Sequence, residues 1–192
     1  NKTKDVSVII RCKNEERWVG HAIQSALDFL DTPEIMVLDN SSKDESRAVV
    51  QNFISFEDVR VLDVDSYTPG KVLNLAAREA KHPTLLILSA HCVLLKLDMG
   101  RIRAELKTHK AVFGKQIPMY HGKRIHPRYL WANFGDAPQV NLVSEAEKRY
   151  FLHNGMAAYD REFLKAHPFD ERLSGKEDRY WANDLVKQGH SF

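Results

Sequence analysis

The sequence comprises 192 residues, of which 43% are hydrophobic and 28% are charged, an ordinary composition for a globular protein with a sizeable core. Basic residues outnumber acidic ones by two and form no long run, so the charge balance argues neither for nor against nucleic-acid binding. No apolar stretch approaches the roughly 20 residues of a membrane span, and two cysteines cannot build a disulfide framework, so we expect a reducing compartment.

In the first half of the chain, apolar runs alternate with apolar residues at helical spacing. The runs predict four strands with helices between them, at residues 6–10, 35–38, 59–62 and 84–88. Ser42 and Glu45 match a capping box before the second helix, and Pro69 suits the first position of the third. This alternation predicts an α/β fold with a largely parallel sheet and right-handed crossovers.

The second half of the chain is less regular. Its apolar spacing predicts a helix around residues 99–106, strands at 111–117 and 156–159, a short helix after 160 and a last helix at 175–187. Residues 118–150 show little periodicity, and a segment of that length is often a binding loop or a lid. We expect residues 1–192 to form one domain of a longer native protein, because Phe192 has the character of the beginning of an element.

Two polar loops follow the first two predicted strands, at residues 11–16 and 39–42. In an open α/β sheet such loops gather at the carboxyl ends of the strands, where ligands bind. The carboxylate of Asp39 could accept hydrogen bonds from a nucleobase or a ribose. In the alternative interpretation, Asn14 and Ser42 are only helix caps and Asp39 is a loop charge.

The most apolar strand ends in Ser89-Ala90-His91-Cys92, which places an imidazole and a hydroxyl at the same edge. His91 could ligate a divalent metal or donate a hydrogen bond to phosphate, although a role other than a metal ligand is favoured for a lone histidine. We expect Cys92 to be a small buried residue. Cys12 and Cys92 are predicted to be free thiols several ångströms apart, in neither a disulfide nor a zinc site.

A third polar group lies before the last predicted helix, where Ser174 and Glu177 match a second capping box. Asp178 follows in the first helical turn, where the backbone dipoles favour its ionised form. It could therefore accept a proton from a substrate hydroxyl if a crevice lies nearby. A plain carboxylate at a helix end is the alternative interpretation.

The order of these motifs resembles that of the family 2 glycosyltransferases. Residues 6–16, VSVIIRCKNEE, are similar to the V-S-V-I-I-P-x-Y-N-E-E opening of that family, and residues 38–44, LDNSSKD, resemble V-D-N-G-S-T-D. Residues 70–76 are similar to the G-K-x-x-A-L-N region, and residues 88–92 fall where the family carries L-D-A-D-D. Residues 169–171 and 176–178 resemble the F-D-E and G-E-D signatures. The similarity extends over nearly the whole chain.

The resemblance implies a GT-A fold, a Rossmann-like mixed sheet that is mostly parallel and is flanked by helices on both faces. Residues 1–97 would form the nucleotide-binding half and residues 98–192 the acceptor-side half. Asp178 takes the place of the general base that deprotonates the acceptor hydroxyl. The residues implied to bind a nucleotide-sugar donor are Cys12, Asn14, Glu15, Asp39, Asn40, Lys71, Ser89 and His91.

Departures from the family pattern bear on the chemistry. Arg11 replaces the usual proline, and Ser89 and His91 replace the D-x-D carboxylates that hold Mn²⁺ or Mg²⁺. Imidazole suits Mn²⁺ better than Mg²⁺, whereas a serine hydroxyl is a poor substitute for a carboxylate. We therefore expect His91 to be a weak metal ligand and the metal to bind weakly or not at all. The leaving diphosphate would then face Lys71, Lys115 or Arg124, or the leaving group would be a nucleoside monophosphate.

We predict an inverting glycosyltransferase that takes a nucleotide-sugar donor and a glycan or lipid-linked acceptor in cell-surface polysaccharide or glycan synthesis. We expect a cytoplasmic location, alternatively peripheral to the inner face of the membrane, and no nucleic-acid partner. One alternative is a non-catalytic nucleotide-sugar binding module that has lost the D-x-D metal site. A nucleotidyltransferase is a weaker alternative, since it calls for a glycine-rich phosphate loop, and residues 11–16 hold two acids and no glycine.

Overall fold

The structure, a computed structural model, describes residues 4–125 and 135–192. Its larger strands are β1 (Val6–Cys12), β2 (Glu34–Asp39), β3 (Val59–Asp63), β4 (Thr84–Leu88) and β5 (Ala111–Phe113). Four two-residue strands follow, namely β6 (Met119–Tyr120), β7 (Lys123–Arg124), β8 (Val143–Ser144) and β9 (Arg149–Tyr150), and then comes β10 (Met156–Asp160). The helices are α1 (Val19–Phe29), α2 (Ser46–Ile54), α3 (Pro69–Glu79), α4 (Met99–Leu106), α5 (Arg161–Ala166) and α6 (Glu177–Lys187).

A six-stranded sheet organises these elements in the order β3-β2-β1-β4-β10-β5. The neighbouring pairs among β1 to β4 are parallel, and β10 is antiparallel to both β4 and β5. The predicted α/β architecture with a mostly parallel mixed sheet is therefore confirmed. In the register of β1 and β2, Cys12 lies opposite Asp39, so the polar ends of these two strands are side by side.

Both faces of the sheet are covered by helices, because the strands are apolar on both sides. Val8 and Ile10 of β1 pack into a buried cluster with α1, α2 and α4. Ile9, between them, points to the opposite face and packs with α3, α5 and α6. The period of two along a strand thus divides β1 between two hydrophobic layers.

The predicted strand at residues 111–117 is wrong in length, since β5 ends at Phe113. Phe113 lies opposite Ala157, close to the beginning of β10, so the pairing partner ends there. In the segment 118–150, two short hairpins form where little structure was expected, β6–β7 and β8–β9. Residues 126–134 of that segment lie outside the described residues.

The ends of the helices agree with the sequence in part. Thr68 accepts a hydrogen bond from Lys71 N, and Pro69 occupies the first turn of α3 as predicted. The last helix begins at Glu177 and not near residue 175, after Lys176 in a left-handed conformation at φ 60°. Among residues 4–125 and 135–192, no helix is both long and apolar enough to cross a membrane.

Candidate active site at the carboxyl edge of the sheet

The loops that follow β1 and β2 interlock through hydrogen bonds between side chains and backbone. Ser42 Oγ accepts from Asn14 N at 2.9 Å, and Asn14 Oδ1 accepts from Lys43 N at 2.8 Å. Ser46 Oγ accepts from Glu15 N at 2.7 Å. Asn14 adopts φ 55°, a left-handed conformation that asparagine tolerates better than most residues. The two loops therefore form one fixed wall at the edge of the sheet, and Asn14 is part of it as predicted from its position.

Asp39 lies at this edge, but its carboxylate points into the protein and is 2% exposed. It accepts hydrogen bonds from Ser42 Oγ at 2.5 Å, Ser42 N at 3.2 Å and Arg47 Nη1 at 3.1 Å. The predicted capping box at Ser42 is therefore wrong: this hydroxyl donates to Asp39, and α2 begins after Glu45. Asn40 N donates to Cys12 O at 2.9 Å, which joins the two loops at their base.

The thiols lie under the loops. Cys12 is 3% exposed and packs in the cluster with α1 and α2, and burial raises its pKa. Cys92 is partly buried, and burial is also the largest cause of its raised pKa. Both are free thiols in the structure. A donor would therefore meet the backbone of residue 12 more readily than its side chain.

At the end of β4, Ser89 is tied to the strand beside it and His91 reaches across to the first loop. Ser89 N donates to Gly155 O at 2.9 Å, and its hydroxyl donates to Asn154 O at 3.4 Å. His91 Nδ1 lies 3.2 Å from Glu15 Oε1, and the imidazole is 63% exposed. His91 thus contacts Glu15 of the first loop, and Ser89 contacts the segment before β10.

These side chains do not fit a D-x-D type metal site. Ser89 supplies a neutral hydroxyl that is already hydrogen-bonded, and His91 supplies one imidazole, where two carboxylates would be needed. Within the part of the chain that the structure describes, no group of three or more His, Cys, Asp or Glu side chains is placed to hold a metal ion.

Lys71 is not among the side chains that connect the loops after β1 and β2. It is exposed in the first turn of α3, and its Nζ contacts Ser66 Oγ. Asn74 of the same helix has a structural role that no local pattern in the sequence indicates. Asn74 Nδ2 donates to Phe169 O at 2.9 Å while Asn74 Oδ1 accepts from Phe169 N at 3.0 Å. Asn74 thus fixes the turn at residues 169–171 to α3.

Glu177 and Asp178 are both 5% exposed and point into the same edge from the N-terminus of α6. Glu177 Oε1 accepts from Arg11 Nη1 at 3.3 Å and from Asn154 Nδ2 at 3.2 Å. The predicted capping box of Ser174 with Glu177 is therefore wrong, because the positive charge of Arg11 draws the Glu177 carboxylate inward. Arg11 thus links the end of β1 to the start of α6.

The carboxylate of Asp178 is held by four hydrogen bonds. Oδ1 accepts from Arg179 N at 2.9 Å and from Arg179 Nη1 at 2.8 Å. Oδ2 accepts from Asn154 N at 2.9 Å and again from Arg179 Nη1 at 2.9 Å. A carboxylate has about four lone-pair sites, so all are in use here. Asp178 can accept a proton only after one partner withdraws, and the shared Nη1 of Arg179 is the one partner on a side chain.

Asn154 joins these groups, although no local pattern in the sequence singles out its side chain. Its backbone N holds Asp178, its Nδ2 holds Glu177, and its Oδ1 accepts from Tyr159 OH at 2.6 Å. Burial, together with the negative charges of the two carboxylates, raises the pKa of Tyr159 well above its usual value. Burial also lowers the pKa of His153, the residue before Asn154, to about 4. The ends of β4, β10 and α6 therefore meet at Asn154.

Comparison with known proteins agrees with the fold. A mannosyltransferase from Pyrobaculum calidifontis, solved with GDP-Man and Mn²⁺, superposes at a TM-score of 0.73 with 20% identity, over 98% of this chain and 53% of the other. Residues 1–349 of S. aureus TarS superpose at 0.68 with 20% identity, over 93% and 54%. The chain therefore spans about half the length of these structures and shares their GT-A fold. No curated protein matches the sequence. The family model for glycosyl transferase family 2 matches residues 7–167, and the chain belongs to that family.

Proposed function

We propose that this chain binds a nucleotide-sugar donor and transfers the sugar, with inversion, to an acceptor hydroxyl in cell-surface glycan synthesis at the cytoplasmic side. The observation that carries the proposal is the position of Asn154, which hydrogen-bonds both Ser89 at the end of β4 and Asp178 at the start of α6. Asn154 thus contacts both the candidate base, Asp178, and Ser89 at the edge where the donor would bind. Support comes from the solved relatives, since the mannosyltransferase structure holds GDP-Man and a TarS structure holds UDP-GlcNAc.

In this proposal, the interlocked loops at residues 13–16 and 40–45 form the wall that faces the nucleotide, with Asn40 and the Asp39 loop nearest the base or ribose. The leaving diphosphate faces His91. With Nδ1 oriented toward Glu15, a protonated imidazole has its Nε2–H left to donate to a phosphate oxygen. Lys71 would need to leave Ser66 to contribute its charge.

The transfer step needs Asp178 to exchange one hydrogen bond. The acceptor hydroxyl displaces Arg179 Nη1 and donates its proton to the Asp178 carboxylate. The acceptor oxygen then attacks the anomeric carbon, and the bond from that carbon to the diphosphate oxygen breaks with its electron pair. Attack from the face opposite the leaving group inverts the configuration. Holding both substrates in one geometry removes the entropic cost of their encounter.

The test combines ligand binding with turnover. Thermal-shift measurements with a panel of nucleotide sugars, each with and without Mn²⁺, identify the donor and any metal requirement. Asp178→Asn should still bind that donor but should lose about 10²- to 10⁴-fold in transfer rate, the usual contribution of a general base. Asp184→Asn is the matched control, an exposed carboxylate on the same helix that pairs with Lys187. Near-normal turnover of Asp178→Asn would remove Asp178 from the role of base.

A second candidate function has specific support. The exchange of the D-x-D carboxylates for Ser89 and His91, and the full set of hydrogen bonds on Asp178, would suit a module that binds a nucleotide sugar without catalysis. Such a module would show donor stabilisation in the same thermal-shift panel. It would show neither transfer nor hydrolysis of the donor, even in the wild-type chain.

A further inference from the structure

Beside the candidate base lies a cleft that the donor edge does not use. It measures about 330 Å³, within the size range of small-molecule sites, and is open between the β8–β9 hairpin and α6. Arg179 lies between the cleft and Asp178: Nη1 of its guanidinium donates to Asp178 Oδ1 at 2.8 Å, and its Nε lies 3.7 Å from Glu147 Oε2 in the cleft lining. The residues that line the cleft are Glu147, Lys148, Arg149, Arg179, Tyr180 and Asn183.

The cleft presents an aromatic face beside polar groups. Tyr180 is 49% exposed, and the guanidinium of Arg149 lies 5.9 Å from the centre of its ring. The amide of Asn183 and the carboxylate of Glu147 supply hydrogen-bond donors and acceptors close by. A flat apolar face with convergent polar groups matches a sugar ring, which has an apolar C–H face and hydroxyls around its rim.

The charges of the cleft are balanced by carboxylates. Lys148 Nζ lies 3.3 Å from Glu145, and Arg149 Nε lies 3.6 Å from Glu147. Arg179 pairs with Asp178 at 2.8 Å. Since each of these cations has an acidic partner within 4 Å, an anionic ligand in the cleft would compete with those carboxylates for them. A neutral ring fits this balance better than a uronic acid or a phosphosugar.

We propose that this cleft is the acceptor subsite and that it recognises a neutral sugar ring by stacking on Tyr180. The proposal rests on the glycosyltransferase function proposed above and names its acceptor as a neutral glycan. A ring in the cleft lies on the far side of Arg179 from Asp178. A ring hydroxyl that displaced the Arg179 guanidinium would reach the Asp178 carboxylate. The same displacement would free a lone pair on that carboxylate.

The experiment is saturation-transfer NMR of the chain with methyl glycosides of neutral hexoses and N-acetylhexosamines, beside methyl glucuronide as a charged probe. We expect saturation of the ring protons of at least one neutral glycoside. Tyr180→Ala should weaken binding of that glycoside by about five- to tenfold, the size of a lost aromatic contact. Asn183→Ala is a second variant in case the first fails to fold. Phe56→Ala, at an aromatic side chain that is 84% exposed, is the matched control.

The proposal would be overturned by absence of saturation for every neutral glycoside, by binding that is the same in both cleft variants and the wild type, or by preference for the glucuronide. Donor binding measured by thermal shift on the same proteins separates this outcome from failure of the proposed function. Glycoside binding without any donor binding or transfer would refute the transferase proposal and leave the cleft as a sugar site. Sugar transfer at the wild-type rate in both cleft variants would refute only the proposal that the cleft is the acceptor subsite.

Discussion

Replacing Arg11 with methionine tests whether a buried ion pair connects β1 to Glu177, the residue before the candidate base. Arg11 Nη1 lies 3.3 Å from Glu177 Oε1, and the side chains are 19% and 6% exposed. Loss of one partner from a buried pair typically costs about 3–5 kcal/mol, because the other charge stays buried. Glu177 keeps its hydrogen bond from Asn154, and Arg11 is partly exposed, so we expect a loss of about 2–3 kcal/mol in the free energy of unfolding.

The assay is a double-mutant cycle measured by urea unfolding. Glu177→Gln removes the charge but keeps the shape, and Arg11→Met with Glu177→Gln removes the pair together. The double variant should lose less than the sum of the single variants, by a coupling energy of about 1–3 kcal/mol, with unchanged m-values. Lys165→Met is the control, since its ion pair with Glu162 is on the surface and should contribute less than about 1 kcal/mol. A coupling energy near zero would show that Arg11 does not stabilise the Glu177 carboxylate.

Two further predictions concern stability. Asn74→Ala leaves both backbone groups of buried Phe169 without their partner and should lower the free energy of unfolding, measured by thermal unfolding, by about 2–4 kcal/mol. A loss below about 1 kcal/mol would contradict the role of Asn74 in holding residues 169–171. His153 has a pKa of about 4 in the folded protein and about 6.5 when unfolded. The unfolded chain therefore binds the proton first, and stability should fall by about 2–3 kcal/mol between pH 7 and pH 4.5. His153→Gln should flatten that loss in urea titrations, and equal slopes for both proteins would refute the assignment.

The strands could be predicted from the sequence because their burial pattern is local. Residues 84–88 form β4 as predicted, since a strand that is apolar on both faces belongs in the centre of a parallel sheet. The first two strands extend further than their apolar runs, to Cys12 and Asp39, because the backbones of these polar residues still pair. The edge where the candidate site lies follows directly from this parallel order.

The contacts within the site depend on residues far apart in the chain, which local patterns do not report. Arg11 and Glu177 are separated by 166 positions, and Asn154 meets Asp178 only because β10 inserts between β4 and β5. The capping box predicted for Ser174 and Glu177 failed for the same reason. The motif predicts a local hydrogen bond at Glu177, but a distant guanidinium offers the carboxylate a stronger, charge-assisted one. The local preference for a capping hydrogen bond at a helix end is overridden when an opposite charge from a distant part of the chain is buried beside that end.

The part of the candidate site around the start of α6 is built from charges that are costly to bury. Arg11 and Arg179 pair with Glu177 and Asp178, and breaking either pair leaves a charge without its partner in a poorly solvated place. Such a cluster stabilises a fold less than apolar residues of the same volume would, but it permits few arrangements of its carboxylates. Transfer of a sugar requires the base, the acceptor hydroxyl and the anomeric carbon to be aligned within fractions of an ångström. The buried charges are therefore better explained by the fixed orientation of Asp178 than by any gain in stability.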